Sequence, residues 1–249
     1  MQHGHVSKRL EPLSIPVQTA IGLGLAAAIM LAWLALHITG VFLLDLAVTP
    51  LWLTTAIILA STWLSVGLFI VAHDAMHGSL APYRPRVNFA VGQLCLGLYA
   101  GFRFQPLNVA HHQHHRFSGT ADDPDFDARA PHGVVAWFVA FFLRYFGLVE
   151  LLVLSALVAV YLFVLGAEIA NVLTFWALPA LASSVQLFFF GTYLPHRPGA
   201  DNFQDRHRTR SNDFPVWLSL LTCFHFGYHH EHHDQPGVPW WRLPAARGR

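Results

Sequence analysis

The stretch Leu51–His77, LWLTTAIILASTWLSVGLFIVAHDAMH, joins an uncharged apolar run to a pair of histidines. Residues 51–72 carry no charge, and a helix needs only about 20 apolar residues to cross the hydrocarbon core of a bilayer. The sequence therefore predicts a membrane-spanning helix that continues as far as the histidines. His73 and His77 are four residues apart, which places both imidazoles on one face of that helix.

The composition of the whole chain agrees with a membrane protein. Of its 249 residues, 54% are hydrophobic and only 12% are charged, and the mean hydropathy is +0.43. Soluble domains carry about 25% charged residues. The net charge of +1 gives no indication of a nucleic-acid partner. The two cysteines form no CxxC motif, so we expect them to be small buried hydrophobic residues.

Three further runs predict membrane spans, at residues 17–38, 148–167 and 170–194. Residues 87–102 are also apolar, but this run is short for a full crossing. A crossing there would also place the histidines that follow it on the opposite side from His73 and His77. We therefore predict an interfacial or re-entrant segment at 87–102. The expected fold is an all-α integral membrane protein with four transmembrane helices and a histidine-rich catalytic cap, in one domain over residues 1–249.

The distribution of Lys and Arg predicts the orientation of these spans. The links between the first and second spans and between the third and fourth contain neither residue. Lys and Arg favour the cytoplasmic side of a membrane. Both termini and all the histidine clusters are therefore predicted to be cytoplasmic.

The seventeen histidines are concentrated in three clusters, which are His73/His77, HHQHH at 111–115 and HHEHH at 229–233. In helices, the first, fourth and fifth residues of each five-residue cluster share a face. This gives eight convergent imidazoles, which is too many for one ion, so we predict two metal ions. Nitrogen-rich ligation favours iron, zinc or copper over magnesium or calcium.

Two non-enzymatic alternatives fit the histidines less well. A metal transporter would carry its ionisable ligands near the middle of the membrane, whereas these clusters follow the ends of predicted spans. A b-type cytochrome would need histidines that face each other inside the spans.

The three clusters and their flanking sequences resemble a known family. The patterns HxxxH, HxxHH and HxxHH after hydrophobic spans are similar to those of the membrane di-iron fatty acid desaturase and hydroxylase superfamily. The flanking sequences resemble the bacterial β-carotene ketolases within it. They are HDAMHGSL at 73–80, TADDPDF at 120–126, FGTYLPHR at 190–197, FHFG at 224–227 and WWRLP at 240–244.

The resemblance implies an oxygen-dependent oxidoreductase with two iron ions and O2 as co-substrate, in a bacterial inner membrane. It implies oxidation of C4 of the β-ionone ring, from β-carotene through echinenone to canthaxanthin, with zeaxanthin to astaxanthin as a further reaction. The carotenoid would enter from the bilayer lipids, and a ferredoxin-type protein would supply electrons. A carotenoid hydroxylase, a fatty acid desaturase and an alkane hydroxylase of the same superfamily are the alternatives.

The candidate metal ligands are the eight pattern histidines together with His196, which the resemblance adds. They are His73, His77, His111, His114, His115, His196, His229, His232 and His233. His112, His225 and His230 are weaker candidates, because the doubled histidines leave the helical register open. His3, His5, His37, His132 and His207 are not expected to take part.

Carboxylates near the clusters are candidates for orienting the ligand imidazoles through their second ring nitrogen. They are Asp74, Asp122, Asp123, Asp125 and Glu231. Helix capping or solvation of a loop explains these carboxylates equally well.

Overall fold

The computed structural model describes residues 7–199, 203 and 205–247, so the expectations for His3 and His5 lie outside the described residues. Within that part of the chain the structure is helical and contains no strand. Its main helices are α1 Ile15–Leu43, α2 Leu51–Met76, α3 Pro85–Ala100, α4 Phe104–Phe117, α5 Val134–Tyr145, α6 Leu148–Phe163, α7 Ile169–His196, α8 Val216–Cys223 and α9 His229–Asp234. A 3₁₀ turn at Trp240–Arg242 and a short α10 at Leu243–Ala246 follow.

Three helices, α1, α2 and α7, are long and apolar enough to cross a membrane. They contain the predicted spans 17–38, 51–72 and 170–194 and extend each by a few residues. Both α1 and α7 include π-helical turns, at Thr39–Leu43 in α1 and at Leu173–Ala177 and Phe188–Tyr193 in α7. These apolar helices are those of a membrane protein, as the composition predicts.

The predicted span at 148–167 differs from the structure at its end. Helix α6 stops at Phe163, and Gly166 adopts a left-handed conformation with φ of 69° in the turn before α7. Helices α5 and α6 meet at a bend of 76°, and together they are apolar enough to form a fourth, broken span. At about 1.5 Å per residue, α6 alone is shorter than the hydrocarbon core.

The segment predicted to be interfacial or re-entrant forms α3, which has 16 residues. It is not among the helices long enough to span a bilayer. Helix α3 ends where Gly101 adopts a left-handed φ of 69°, and α4 begins three residues later. This tight turn carries the chain directly into the second histidine cluster.

Helix α2 is the centre of the bundle, and α1, α3 and α7 pack against it. Its apolar residues Leu68, Ile70 and Val71 are buried in the core. The apolar side chains exposed on the outside of the bundle, such as Leu31 and Leu59, suit contact with lipid tails. A helix that is apolar on all sides is stable only when protein or lipid covers it.

Hydrogen bonds from two side chains, Gln18 and Asn171, fix which ends of the helices lie together. Gln18, near the start of α1, donates to the Ser79 carbonyl oxygen just after α2, with a donor–acceptor distance of 2.7 Å. Asn171, at the start of α7, donates to the Gly40 and Leu44 carbonyl oxygens at the end of α1, over 3.0 and 2.7 Å. The end of α2 and the end of α7 therefore lie at the same end of the bundle.

Candidate metal centre

Nine imidazoles converge at that end of the bundle and form two groups. In each group the ligand atoms lie within 4.8 Å of one another. The first group contains His73, His77, His111, His115 and His232. The second group contains His114, His196, His229 and His233. These are the nine histidines that the sequence nominates as metal ligands.

Helical geometry explains how the second and third clusters each supply both groups, whereas His73 and His77 belong only to the first group. Successive residues of an α-helix are rotated by about 100°. In α4, His111 and His115 therefore face the first group, while His114 faces the second. In α9, His232 faces the first group and His229 the second. Each of these two helices therefore contributes ligands to both groups.

The ring nitrogens within each group are close enough to share a cation. The Nε2 atoms of His77 and His111 are 2.7 Å apart, and those of His196 and His229 are 2.9 Å apart. A neutral imidazole has one donor and one acceptor nitrogen, so hydrogen bonds alone cannot satisfy a whole group. Both ring nitrogens of His73 are buried without a hydrogen-bond partner. This donor set fits two transition-metal ions, one for each group.

Burial keeps most of these imidazoles neutral, which is the state that binds metal. Desolvation lowers the pKa of His111, His232 and His233 well below the usual value for histidine, and the neighbouring imidazoles lower it further. Charging one ring would place an unpaired cation in an apolar site beside other rings.

His114 differs because two carboxylates face it. Its Nδ1 lies 2.9 Å from Oδ1 of Asp123 and 3.7 Å from Oδ2 of Asp125. Burial acts to lower the pKa of His114, but Asp125 and Asp123 outweigh it and raise this pKa above its ordinary value. When Nδ1–H of His114 donates its hydrogen bond to Asp123, the other ring nitrogen, Nε2, faces the second group. Such outer carboxylates fix the tautomer and orientation of ligand histidines.

The other predicted carboxylates take different positions. Asp74 Oδ1 is 3.8 Å from His73 Nδ1, and Asp74 Oδ2 accepts a hydrogen bond of 3.1 Å from the Trp240 backbone N–H. Asp122 is exposed, and among the described residues its carboxylate contacts no histidine. Glu231 is buried and accepts a hydrogen bond from the Ser211 hydroxyl.

The three weaker histidine candidates lie outside both groups. His112 is exposed, and its Nδ1 donates to the Asn108 carbonyl oxygen over 2.8 Å. His230 pairs with Asp205 at 2.7 Å. His225 is buried, and its ring stacks on Tyr228.

Of the described histidines not expected to take part, His207 lies closest to the site, with its ring centre 6.0 Å from that of His233. Nε2 of His37 forms a hydrogen bond with the Tyr161 hydroxyl near the other end of the bundle.

Sequence reasoning missed the groups that orient His196. Its Nδ1 donates to the Arg208 carbonyl oxygen at 3.0 Å, and the Ser118 hydroxyl lies 3.3 Å away. A backbone carbonyl carries no sequence signal, because every residue has one. Only the folded loop brings residue 208 next to residue 196.

A largely apolar cavity of about 310 Å³ opens onto both histidine groups. His73 and His111 of the first group and His114 and His229 of the second form part of its wall. The rest of the wall comes mainly from apolar and aromatic residues, including Phe69, Phe102, Leu107, Phe142, Leu181 and Phe226. The sequence contains twenty phenylalanines and gives no means of choosing those that line a cavity.

Together, the bundle and its histidine groups define an all-helical membrane protein with a histidine-rich centre beside an apolar cavity. The fatty acid desaturase family model matches this chain over residues 46–156 and 144–249. The chain belongs to the fatty acid desaturase family.

Several individual proteins similar to this chain are carotenoid ketolases. The chain is 55% identical to a β-carotene ketolase of Paracoccus sp. (strain N81106 / MBIC 01143) over 230 residues, which cover 92% of this chain and 93% of the relative. It is 40% identical to the β-carotene 4-ketolase 3 of Haematococcus lacustris over 77% of this chain and 61% of that protein. A zeaxanthin 4-ketolase of Chlamydomonas reinhardtii is 35% identical over 91% of this chain and 53% of that protein. The resemblance to the ketolase branch is thereby confirmed.

Proposed function

We propose that this protein is a β-carotene ketolase, an O2-dependent oxidoreductase that converts the C4 methylene of a β-ionone ring to a ketone. The structural observation that carries the proposal is the apolar cavity that opens onto both histidine groups. The identity of 55% to a ketolase over nearly the whole chain supports the choice of substrate. The further reaction, zeaxanthin to astaxanthin, is supported by the relative that is named for zeaxanthin.

The proposed cofactor is a pair of iron ions, one held by each histidine group. When bound, the irons would activate O2 for oxidation of an unactivated or allylic C–H bond. The residues of the chain hold the ions in place and set their surroundings. Asp123 orients His114 through Nδ1, and Asp74 lies beside His73. Neutral, buried imidazoles exclude water from the ion-binding positions and need no proton loss before they ligate.

Two successive oxidations account for the ketone. The first replaces one C4 hydrogen with a hydroxyl group, and the second gives a geminal diol that loses water to leave the carbonyl. Each oxidation consumes one O2, two electrons and two protons and releases one water. The apolar cavity wall binds the ring by hydrophobic contact and keeps bulk water away from the reacting carbon.

The substrate would enter from the bilayer. Part of the cavity wall is formed by Ala177, Ala180 and Leu181 of α7, a helix apolar enough to lie in the membrane. A carotenoid dissolved in lipid could therefore reach the cavity without crossing water.

We propose four spans in a bacterial cytoplasmic membrane, with the histidine groups on the cytoplasmic side. The bent pair α5–α6 supports the count of four, because it carries the chain from the histidine end of the bundle to the start of α7 at the other end. The absence of Lys and Arg from the two outer links supports the orientation.

The electrons are proposed to come from a ferredoxin-type protein, since the sequence contains no recognisable flavin or nicotinamide motif. Exposed arginines near the histidine groups, such as Arg206 and Arg208, would attract an acidic donor.

The test is expression of the chain in a cell that accumulates β-carotene. We expect the pigment to become redder as ketone-bearing carotenoids form. Chromatography with mass detection would distinguish a ketolase from a hydroxylase, because a hydroxylase stops at the alcohol. An unchanged carotenoid profile, with folded and iron-loaded protein in the membrane, would overturn the proposal.

A further inference from the structure

Two polar side chains stand side by side in the largely apolar wall of the cavity. The Tyr145 hydroxyl donates a hydrogen bond to Oδ1 of Asp125, and both residues line the cavity. Tyr145 is the last residue of α5, and Asp125 lies in the loop between α4 and α5. In an apolar pocket, a few placed polar groups fix the orientation of the ligand.

The second carboxylate oxygen of Asp125 is available to a ligand. Oδ2 lies 3.7 Å from Nδ1 of His114, which is beyond hydrogen-bonding distance. His114 Nδ1 is already bonded to Asp123 at 2.9 Å. Among the residues that the structure describes, none donates a hydrogen bond to this oxygen. The side chain of Asp125 is only 15% exposed, so solvent reaches it poorly.

Two other hydroxyl groups of the cavity wall, those of Tyr99 and Ser184, already donate to the protein. Tyr99 donates its hydroxyl proton to the Ala180 carbonyl oxygen, with an oxygen–oxygen distance of 3.5 Å. The Ser184 hydroxyl donates a hydrogen bond to the Leu181 carbonyl oxygen over 2.7 Å. The Tyr145 proton is likewise committed, but to Asp125. The pair Tyr145–Asp125 therefore offers the cavity an acceptor, and it suits a ligand that carries an O–H group.

We infer that Asp125, positioned by Tyr145, binds the hydroxyl group of a partly oxidised or ring-hydroxylated substrate. The inference rests on the proposed function. It extends that function to the oxidation state of the ring that the cavity binds most tightly. A C4 methylene has no proton for Asp125 Oδ2, and neither has the finished ketone, whereas the ring alcohol has one. Asp125 thus retains the alcohol beside His114 and the second histidine group until the second oxidation takes place.

The sharpest variant is Asp125→Asn, which keeps the size of the side chain. The amide oxygen accepts the Tyr145 proton, so the amide NH2 takes the position of Oδ2 and presents donors instead of an acceptor. Leaving a buried hydroxyl without its acceptor costs about 1–3 kcal/mol, which corresponds to about tenfold in binding. In a host that makes β-carotene, we expect the ratio of 4-hydroxylated to 4-keto product to rise about tenfold.

Asp127→Asn is the matched control. Asp127 is a buried neighbouring aspartate whose Oδ1 accepts from Arg129, and it is not part of the cavity wall. We expect D127N to keep the wild-type product ratio. Tyr145→Phe should change the ratio in the same direction as D125N but less, because Asp125 would lose its positioning partner and keep its acceptors. Iron content measured on each purified variant separates an effect on the substrate from loss of metal.

A binding measurement on the unaltered protein tests the inference without any variant. Iron-loaded wild type would be kept free of oxygen and offered the ring hydrocarbon, the 4-hydroxy carotenoid and the 4-keto carotenoid in competition. We expect the alcohol to displace the hydrocarbon at about tenfold lower concentration than the ketone does.

Two results would overturn the inference: an unchanged product ratio in D125N that retains its iron, or equal displacement by alcohol and ketone. Both leave the proposed function intact, because the wild type still forms ketone. The proposed function itself fails only if the wild type forms no oxidised carotenoid.

Discussion

His77 and His111 lie with their Nε2 atoms 2.7 Å apart, although one follows α2 and the other belongs to α4. The chain between them forms α3 and two tight turns, so the contact depends on the packing of α3 against α2. Two neutral imidazole nitrogens at this distance, with three further imidazoles around them, form a site that a cation would stabilise.

The register of the second cluster is tested by comparing His111→Ala with His112→Ala. We expect H111A to lose the iron of the first group, from about two to about one iron per chain, and to lose ketone formation. H112A should keep both irons, since His112 is exposed and bonded to its own helix at Asn108. Metal analysis of the purified variants measures the number of irons bound per chain. Equal metal loss in both variants would contradict the register.

The third cluster gives the corresponding comparison for the second group. His229→Ala should remove one iron per chain, because His229 contacts His196 and His233 through Nε2 atoms at 2.9 and 3.1 Å. His230→Ala should retain both irons, because His230 pairs instead with Asp205. If H230A lost as much iron as H229A, the division of the nine histidines into two groups would be wrong.

Asp123 is predicted to control metal affinity through His114. Asp123→Asn weakens the hydrogen bond that fixes the ring of His114, and loss of such an outer carboxylate typically costs about 10–100-fold in metal affinity. The control is Asp122→Asn, since Asp122 is exposed. Titration of each variant with a competing chelator gives the affinities. Matching affinities for D123N and D122N would rule out this role for Asp123.

Close packing between α3 and α4 is predicted to hold the second cluster in place. A Cβ atom on Gly92 would lie 2.2 Å from the ring of Phe104, the first residue of α4. Gly92→Ala therefore displaces Phe104, at a cost of about 1–3 kcal/mol in stability, and should reduce activity by shifting α4. Gly97→Ala is the control, because its Cβ would meet no atom within 4 Å. Thermal unfolding in detergent compares the two, and G92A as stable as G97A would contradict the packing.

The span count is tested by labelling single cysteines from outside intact cells. Ala47→Cys and Glu168→Cys should react with an impermeant maleimide, while Arg129→Cys should react only after the cells are opened. All three positions are exposed, and the native Cys95 and Cys223 are buried. Labelling of E168C and R129C from the same side would show that α5 and α6 do not cross as one span.

Much of this arrangement could be predicted from the sequence because it depends on short-range periodicity. The apolar runs predicted α1, α2 and α7 to within a few residues, since an uncharged run of that length has few stable alternatives to a membrane helix. The helix at the predicted span 148–167 ends at Phe163, and Gly166 then turns the chain before α7 begins. A left-handed glycine does not differ in sequence from any other glycine.

The sequence by itself determined that this is a helical membrane protein and which histidines share helix faces. It did so because helical period and hydrophobic length are local properties of the chain. Only the tertiary structure decided that nine of those histidines divide into two groups, that Asp123 rather than Asp122 faces His114, and that Asp125 and Tyr145 meet in the cavity wall. Those contacts join residues from separate helices and loops, and their distances depend on how the helices pack.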